Sequence, residues 1–206
     1  MFKSTKKHKA YWQNRKINWE QDYLSTWNHP HRGLITLVLK SFDWYSLWEV
    51  GVGGGANLAR IVREIPNKQL GGSDINPEAI ETCRRVFNGG RFHVEPSEDL
   101  LLSDNSVDVM LSDAHLIYYG PFKIKKVLKE MIRATRNQIV LCEYEEQSFW
   151  KRLWLRWTTG YHAHDYRKLL EDMGCYGIQS FPIPEQYWGG NWSKYGRIIV
   201  AQIAKK

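Results

Sequence analysis

The 206-residue sequence predicts an α/β fold, a doubly wound and mostly parallel sheet with helices on both faces. Three observations predict it. From residue 45 onward, short apolar runs alternate with amphipathic helical patterns, the rhythm of a parallel sheet covered on both sides. The first run enters the helix after it through a turn of almost bare backbone, Gly51-Val52-Gly53-Gly54-Gly55. Polar and acidic residues sit where the runs end, as ligand-binding residues do at the carboxyl rim of such sheets.

The elements follow in order. Residues 1–42 read as a basic tail, with Lys3, Lys6, Lys7 and Lys9, leading into a helical cap. Two helices are expected over residues 11–40, around Asn28-His29-Pro30-His31. There Asn28 can cap, and Pro30 fits the first turn of the second helix. Residues 43–206 carry the main domain, with an aromatic insert at about 147–162. YSLWEV is a strand and ANLARIVREI a helix; QLGGSDI is a strand and PEAIETCRRVF a helix opened by Pro77. RFHVEP and VDVMLSD are strands, PFKIKKVLKEMIRAT a helix and NQIVLCEY a strand. SFWKRLWLRW and AHDYRKLLEDM read as helices, and CYGIQSFPI and KYGRIIVAQIA as the last two strands.

Composition narrows the class. Hydrophobic (43%) and charged (25%) fractions are ordinary for a globular chain, and no apolar run approaches the ~18 residues of a membrane span. The first residues lack the apolar core of a signal peptide, so a cytoplasmic location is expected. Cys83, Cys142 and Cys175 have no CxxC spacing and read as buried free thiols. The HxH pairs His29/His31 and His162/His164 lack a nearby third ligand, so no metal site is expected. A net charge of +7 with 10 tryptophans keeps nucleic acid open as a partner, though not favoured.

A glycine strand-to-helix turn tolerates positive φ and lets a ligand touch backbone at a helix N-terminus. Two ligand classes use it. Gly51, Gly53 and Ala56 fit the GxGxxG/A of dinucleotide sites, a weak signal by itself. Glu49 with Gly51, Gly53 and Gly55 fits the acid-then-GxGxG pattern of S-adenosylmethionine sites. A carboxylate there repels a pyrophosphate and suits an ammonium. Asp74, at the end of the next strand and followed by Ile75, is placed to accept from both ribose hydroxyls in either class.

Together, WEVGVGGGANL, GSDINPEAI and VEPSEDLLLSDNSVDVMLSDAHLIYYG resemble the class I S-adenosylmethionine-dependent methyltransferases. Within them the resemblance is to the small-molecule branch acting on quinones, sugars and natural products. The stretch from Leu111 to Tyr144 is loosely similar to methylases associated with pseudaminic acid biosynthesis. The resemblance implies a Rossmann-like sheet of seven strands with an antiparallel last strand. It implies S-adenosyl-L-methionine as donor and S-adenosyl-L-homocysteine as product. It implies a donor site made of Glu49, Gly51, Gly53, Gly55, Asp74 and Ile75, an adenine wall at Ser97, Glu98 and Asp99, and Ser112 beside the methyl. Tyr11 and Trp12 are expected to fold over the donor as a lid. Pro96 stands where the family often has an adenine-binding acid.

A hydroxyl acceptor needs a base, and candidates lie along the rim: His115 and Asp113 after the fourth strand, Glu143 ending the fifth, and His162 after the insert. Many such enzymes carry no dedicated base. In the insert, Phe149, Trp150, Leu153, Trp154 and Trp157 recur at near-helical spacing among Lys151, Arg152 and Arg156. The expected reading is a cap helix covering the pocket or core; an interfacial helix and a nucleic-acid platform stay open. Tyr187, Trp188, Trp192 and Tyr195 are read as a wall of the acceptor pocket. The function expected is methyl transfer to O or N of a small polar metabolite, a sugar among the choices. An RNA or protein methyltransferase, a non-catalytic binder on the cofactor fold, and a nicotinamide enzyme remain as alternatives, and oligomeric state is open.

Overall fold

A computed structural model describes residues 5–204. Seven strands form one sheet in the order β3-β2-β1-β4-β5-β7-β6. They are β1 (Ser46–Val50), β2 (Gln69–Asp74), β3 (Arg91–Val94), β4 (Val107–Asp113), β5 (Thr135–Tyr144), β6 (Tyr176–Pro182) and β7 (Gly196–Gln202). β1 to β5 are mutually parallel, and β7 runs antiparallel to both β5 and β6. The predicted Rossmann-like sheet with its antiparallel last strand is the observed one.

Eight α-helices are described: α1 (Thr5–Gln13), α2 (Pro30–Leu39), α3 (Ala56–Glu64), α4 (Pro77–Val86), α5 (Pro121–Ala134), α6 (Phe149–Thr159), α7 (Tyr166–Glu171) and α8 (Asn191–Tyr195). Strand periodicity divides the core. Trp48, Met110, Ile139, Leu141 and Ile199 face one side with α5 and α7. Leu47, Val109, Leu111, Val140 and Ile198 face the other with α2, α3 and α4. Residues one apart in a strand alternate between these two cores, as a period of two requires. The strand order reverses between β1 and β4, and their carboxyl ends open a crevice there.

The N-terminal unit departs from expectation. Helix α1 begins at Thr5, so the stretch read as a tail is helical from there; Lys3, Lys205 and Lys206 lie outside the described residues. A π-helical turn (Trp19–Tyr23) and a 3-10 turn (Leu24–Asn28) replace the first of the two expected helices. Asn28 ends the 3-10 turn and does not cap. His29 is the N-cap of α2, without a side-chain cap bond, and Pro30 opens the helix as expected. Asn18, not singled out from sequence, caps the π-helical turn by accepting from Gln21 N.

Candidate functional site

A cleft of about 840 Å³, open mouth included, lies over the carboxyl ends of β1, β2 and β4. Its floor is the turn after β1. Gly51 (φ +69°) and Gly53 (φ +52°) line it in conformations that L side chains rarely adopt. Both glycines also make room for protein. A Cβ on Gly51 would meet the His115 ring at 2.3 Å, and one on Gly53 the Tyr23 ring at 2.8 Å. The bare backbone thus seats two cleft-lining rings as well as leaving the floor open. Gly55 is not at the cleft. It is the left-handed N-cap of α3, packed under Phe87.

Asp74 ends β2 and lines the cleft. One carboxylate oxygen accepts from Gly53 N (3.0 Å) and the other from Asn76 N (2.8 Å), and Ile75 N adds a third backbone donor, which leaves the carboxylate acceptor capacity for a further donor. Burial pushes its pKa up, against these backbone bonds. Ile75 lines the cleft beside it.

At the end of β4, Asp113 lines the cleft from within a buried network. Its Oδ2 takes Arg32 Nη1 (2.9 Å), His31 Nε2 (3.0 Å) and Asn57 Nδ2 (3.0 Å). Burial opposes ionisation, but His31, the Arg32 guanidinium and Asn57 outweigh it and hold the carboxyl well below the usual carboxylate range. Asn57 Nδ2 also donates to Glu49 Oε1 (2.7 Å), which places the Glu49 carboxyl directly behind Asp113. Glu49 is buried and does not line the cleft; burial pushes its pKa up to about 8, despite the Asn57 bond. In this network Glu49 Oε2 and Asp113 Oδ1 meet no N–H or O–H donor among the described residues; only the weak thiol of Cys142 stands beside the second carboxylate. Two buried indole donors in the cleft wall, Trp12 Nε1 and Trp19 Nε1, have no well-formed acceptor bond among the described residues, the first standing beside the Tyr118 hydroxyl.

Ala114 (φ +53°) turns the chain after β4 and brings His115 over Gly51. His115 Nε2 shares a hydrogen bond with Ser97 Oγ (2.8 Å), so Ser97 reaches the site through His115 without lining it. Burial lowers the His115 pKa to about 4, leaving a neutral ring at pH 7. Glu98 lines the wall with Lys123 Nζ 3.3 Å away, whereas Asp99 is exposed outside the cleft. The roof comes from the N-terminal unit: His8, Lys9 and Trp12 of α1, with Trp19 and Tyr23. Tyr11, the other expected lid residue, points to solvent. Asn76 fixes α1 in place. Its Nδ2 donates to Trp12 O and Arg15 O (both 2.8 Å), while its Oδ1 caps α4.

Several expected residues lie elsewhere. Glu143 is fully buried under the turn after β4, where it accepts from Ser112 Oγ, His115 N, Leu116 N and Ile117 N. It holds that turn and faces no ligand; burial pushes its pKa up to about 7. Ser112 is buried with it. His162 lies outside the cleft, on a separate cavity with α6 and α7, and burial takes its pKa down to about 3. Trp188 stacks on His31 (3.9 Å) and on Trp192 (3.8 Å), packing against the core and not walling the cleft. His29, His31 and His164 are held by ring contacts and hydrogen bonds, His164 Nε2 to Tyr119 O. His31, Arg32, Asn57 and Asn76 were not singled out for the site from sequence. Their partners stand up to 82 residues away, and no local spacing marks them.

With this geometry in view, comparison with known proteins is informative. Residues 48–138 match the methyltransferase domain family. The match covers a little under half of the chain. Among curated proteins no match is found. Among solved structures, the fold is similar to magnesium protoporphyrin IX methyltransferase (ChlM) from Synechocystis PCC 6803 with bound SAH. That likeness has 14% identity and a TM-score of 0.68, covering 97% of this chain and 99% of that one. It is also similar to the CurJ carbon methyltransferase (17%, TM-score 0.64), covering 86% of this chain and about half, 54%, of that one. A third is the [4+2]-cyclase SpnF (16%, TM-score 0.65), covering 95% and 87%. At such identities the likeness establishes the fold. The matched segment runs from within β1 into β5, and so includes the glycine turn, Asp74 and Asp113.

Proposed function

We propose that this chain is an S-adenosylmethionine-dependent methyltransferase acting on a small molecule. One observation carries the reading. Beside the glycine turn, two buried carboxyl oxygens, Glu49 Oε2 and Asp113 Oδ1, lack a strong donor, and buried acceptors are rarely left so. Asp113 Oδ1, in the cleft wall, fits the ammonium of a methionine moiety, with the Glu49 carboxyl behind it in the same network, and Trp19 Nε1 fits its carboxylate. The remaining acceptor capacity of Asp74, in the cleft wall, fits a ribose hydroxyl. The unpaired oxygen of the Asp113 carboxylate in the cleft wall disfavours a pyrophosphate, and with it the nicotinamide alternative.

When bound, S-adenosylmethionine supplies a methyl on cationic sulfur for in-line displacement. The chain's part is to hold the reactants in line and exclude water. Trp12, Trp19 and Tyr23 roof the cleft against solvent. Tyr118 and Tyr119 line it with neutral rings whose hydroxyl pKa values burial raises. No side chain among these is a strong free base. The neutral His115 ring is a poor proton acceptor, Asp113 is committed to Arg32, and Tyr23 is pushed up to about 12 by burial. We therefore assign His115 a positioning role. The acceptor is an atom already nucleophilic near neutral pH, an uncharged nitrogen or an anionic oxygen of a polar metabolite. Lys9 and Lys123 at the cleft suit an anionic one.

The test is incubation with methyl-labelled S-adenosylmethionine and fractionated metabolite extract. Label is expected in the small-molecule fraction. Label confined to RNA or protein would move the reading to those acceptors.

A further inference from the structure

Helix α6 does not cover the pocket or the core. Leu155 is its one buried residue, while Phe149, Trp150, Leu153, Trp154 and Trp157 are between 49% and 74% exposed. At ~100° per residue these five fall within an arc of about 140° that lies opposite Leu155. Leu155 anchors the helix in a cluster with Ile117, Tyr144 and Ala163, so the aromatic arc faces outward. Lys151 borders the arc on one side, and Arg152 and Arg156 on the other. The helix contains no acid. Beside it, at the edge of the arc formed by Phe149 and Leu153, lies a cavity of about 1280 Å³, open mouth included, whose lining also has Lys125, Arg152, Arg156 and Lys168 against Asp165 and Asp172. Asp165 is used in capping α7, Asp172 lies 3.5 Å from Lys168 Nζ, and Glu146 lies 4.0 Å from the exposed Lys151 Nζ; with Lys125, Arg152 and Arg156 counted, cations still outnumber acids here.

We propose that α6 docks this protein on an anionic lipid surface. Its aromatic arc lies at the level of the headgroups, and Lys151, Arg152 and Arg156 meet lipid phosphates. Broad Trp and Phe faces flanked by cations suit that boundary, where one side of the ring is apolar and the other wet. Charge complementarity selects the anionic bilayer over a second copy of this equally basic chain. The docking helix follows β5, whose carboxyl end lies on the same rim as the glycine turn. Ile117 of the anchoring cluster is next to Tyr118, which lines the cleft. The proposal does not rest on the identity of the methyl donor. No helix among the described residues is long and apolar enough to cross a membrane, so attachment through α6 is peripheral.

The experiment is flotation of the full chain with phosphatidylcholine vesicles, with and without about 30 mol% phosphatidylglycerol. The full chain is expected to float with the anionic vesicles and to be released by salt. Trp150→Ser/Trp154→Ser and Lys151→Glu change exposed side chains, so unfolding temperature should hold while vesicle affinity falls at least about tenfold. No binding by the unaltered chain overturns the proposal, as does binding that these variants leave intact. Binding of a single-stranded oligonucleotide, lost in the same variants without vesicle binding, overturns it in favour of a stacking platform.

Discussion

At the residue scale, Gly51 and Glu49 carry the sharpest consequences. Alanine at Gly51 must hold φ near +69° and push its Cβ into the His115 ring. Gly51→Ala is expected to cost about 1–3 kcal/mol and to break the Ser97–His115 pairing. Thermal unfolding reads the first effect and the imidazole resonances the second; an undisturbed His115 would contradict this seating. Glu49 holds a proton in the folded chain that the unfolded chain has lost, because burial lifts its pKa from 4.5 to about 8. Its contribution therefore falls as pH rises between those values. Glu49→Gln removes that slope while keeping an acceptor for Asn57. The variant should gain about 3 kcal/mol on the parent between about pH 6 and pH 9. An ammonium ligand should also draw the proton off Glu49. S-adenosylhomocysteine binding near pH 7 should release protons from the parent but not from the variant, which calorimetry in buffers of different ionisation heat measures.

At the scale of elements, the roof depends on Asn76. This residue joins α4 to α1, since one side-chain atom caps the first helix and the other holds carbonyls of the second. Asn76→Asp keeps the cap, as aspartate caps about as well, but turns the two donor bonds into repulsion. The expected outcome is faster proteolysis within residues 5–16 and weaker ligand binding, with the main unfolding transition nearly unchanged. Equal proteolysis in parent and variant would show that α1 is held by other contacts. Asn76 also marks a limit of sequence reading. The run Asp74-Ile75-Asn76-Pro77 announces a strand end and a capped helix, whereas the second use of Asn76 depends on chain 61 residues and more away. Helix α6 teaches the converse. Its aromatic spacing is plain in sequence, but spacing alone does not say whether the stripe faces the core or water.

At the scale of the molecule, the sheet was legible because strand period, helix period and turn chemistry agree from residue 45 onward, and consistency across levels specifies a fold. The floor of the site was legible for the same reason, since Gly51, Gly53 and Asp74 sit at strand ends. What sequence could not place is the polar network joining α2, α3 and β4 through Arg32, Asn57 and Asp113, which long-range packing assembles. The same packing withdraws Glu143 and His162 from the cleft and leaves it without a strong base. The central claim is that the glycine turn, Asp74 and the unpaired acids form a site for an adenosyl amino acid. The most direct test is thermal unfolding of the parent and Asp74→Ala with S-adenosylhomocysteine, S-adenosylmethionine or NAD. At ~100 times its dissociation constant a ligand adds about 2.7 kcal/mol, roughly 5–10 °C for a chain of this size. The account predicts that shift with both adenosyl ligands, its loss in Asp74→Ala, and none with NAD. A shift with NAD alone, or with no ligand at all, would contradict it.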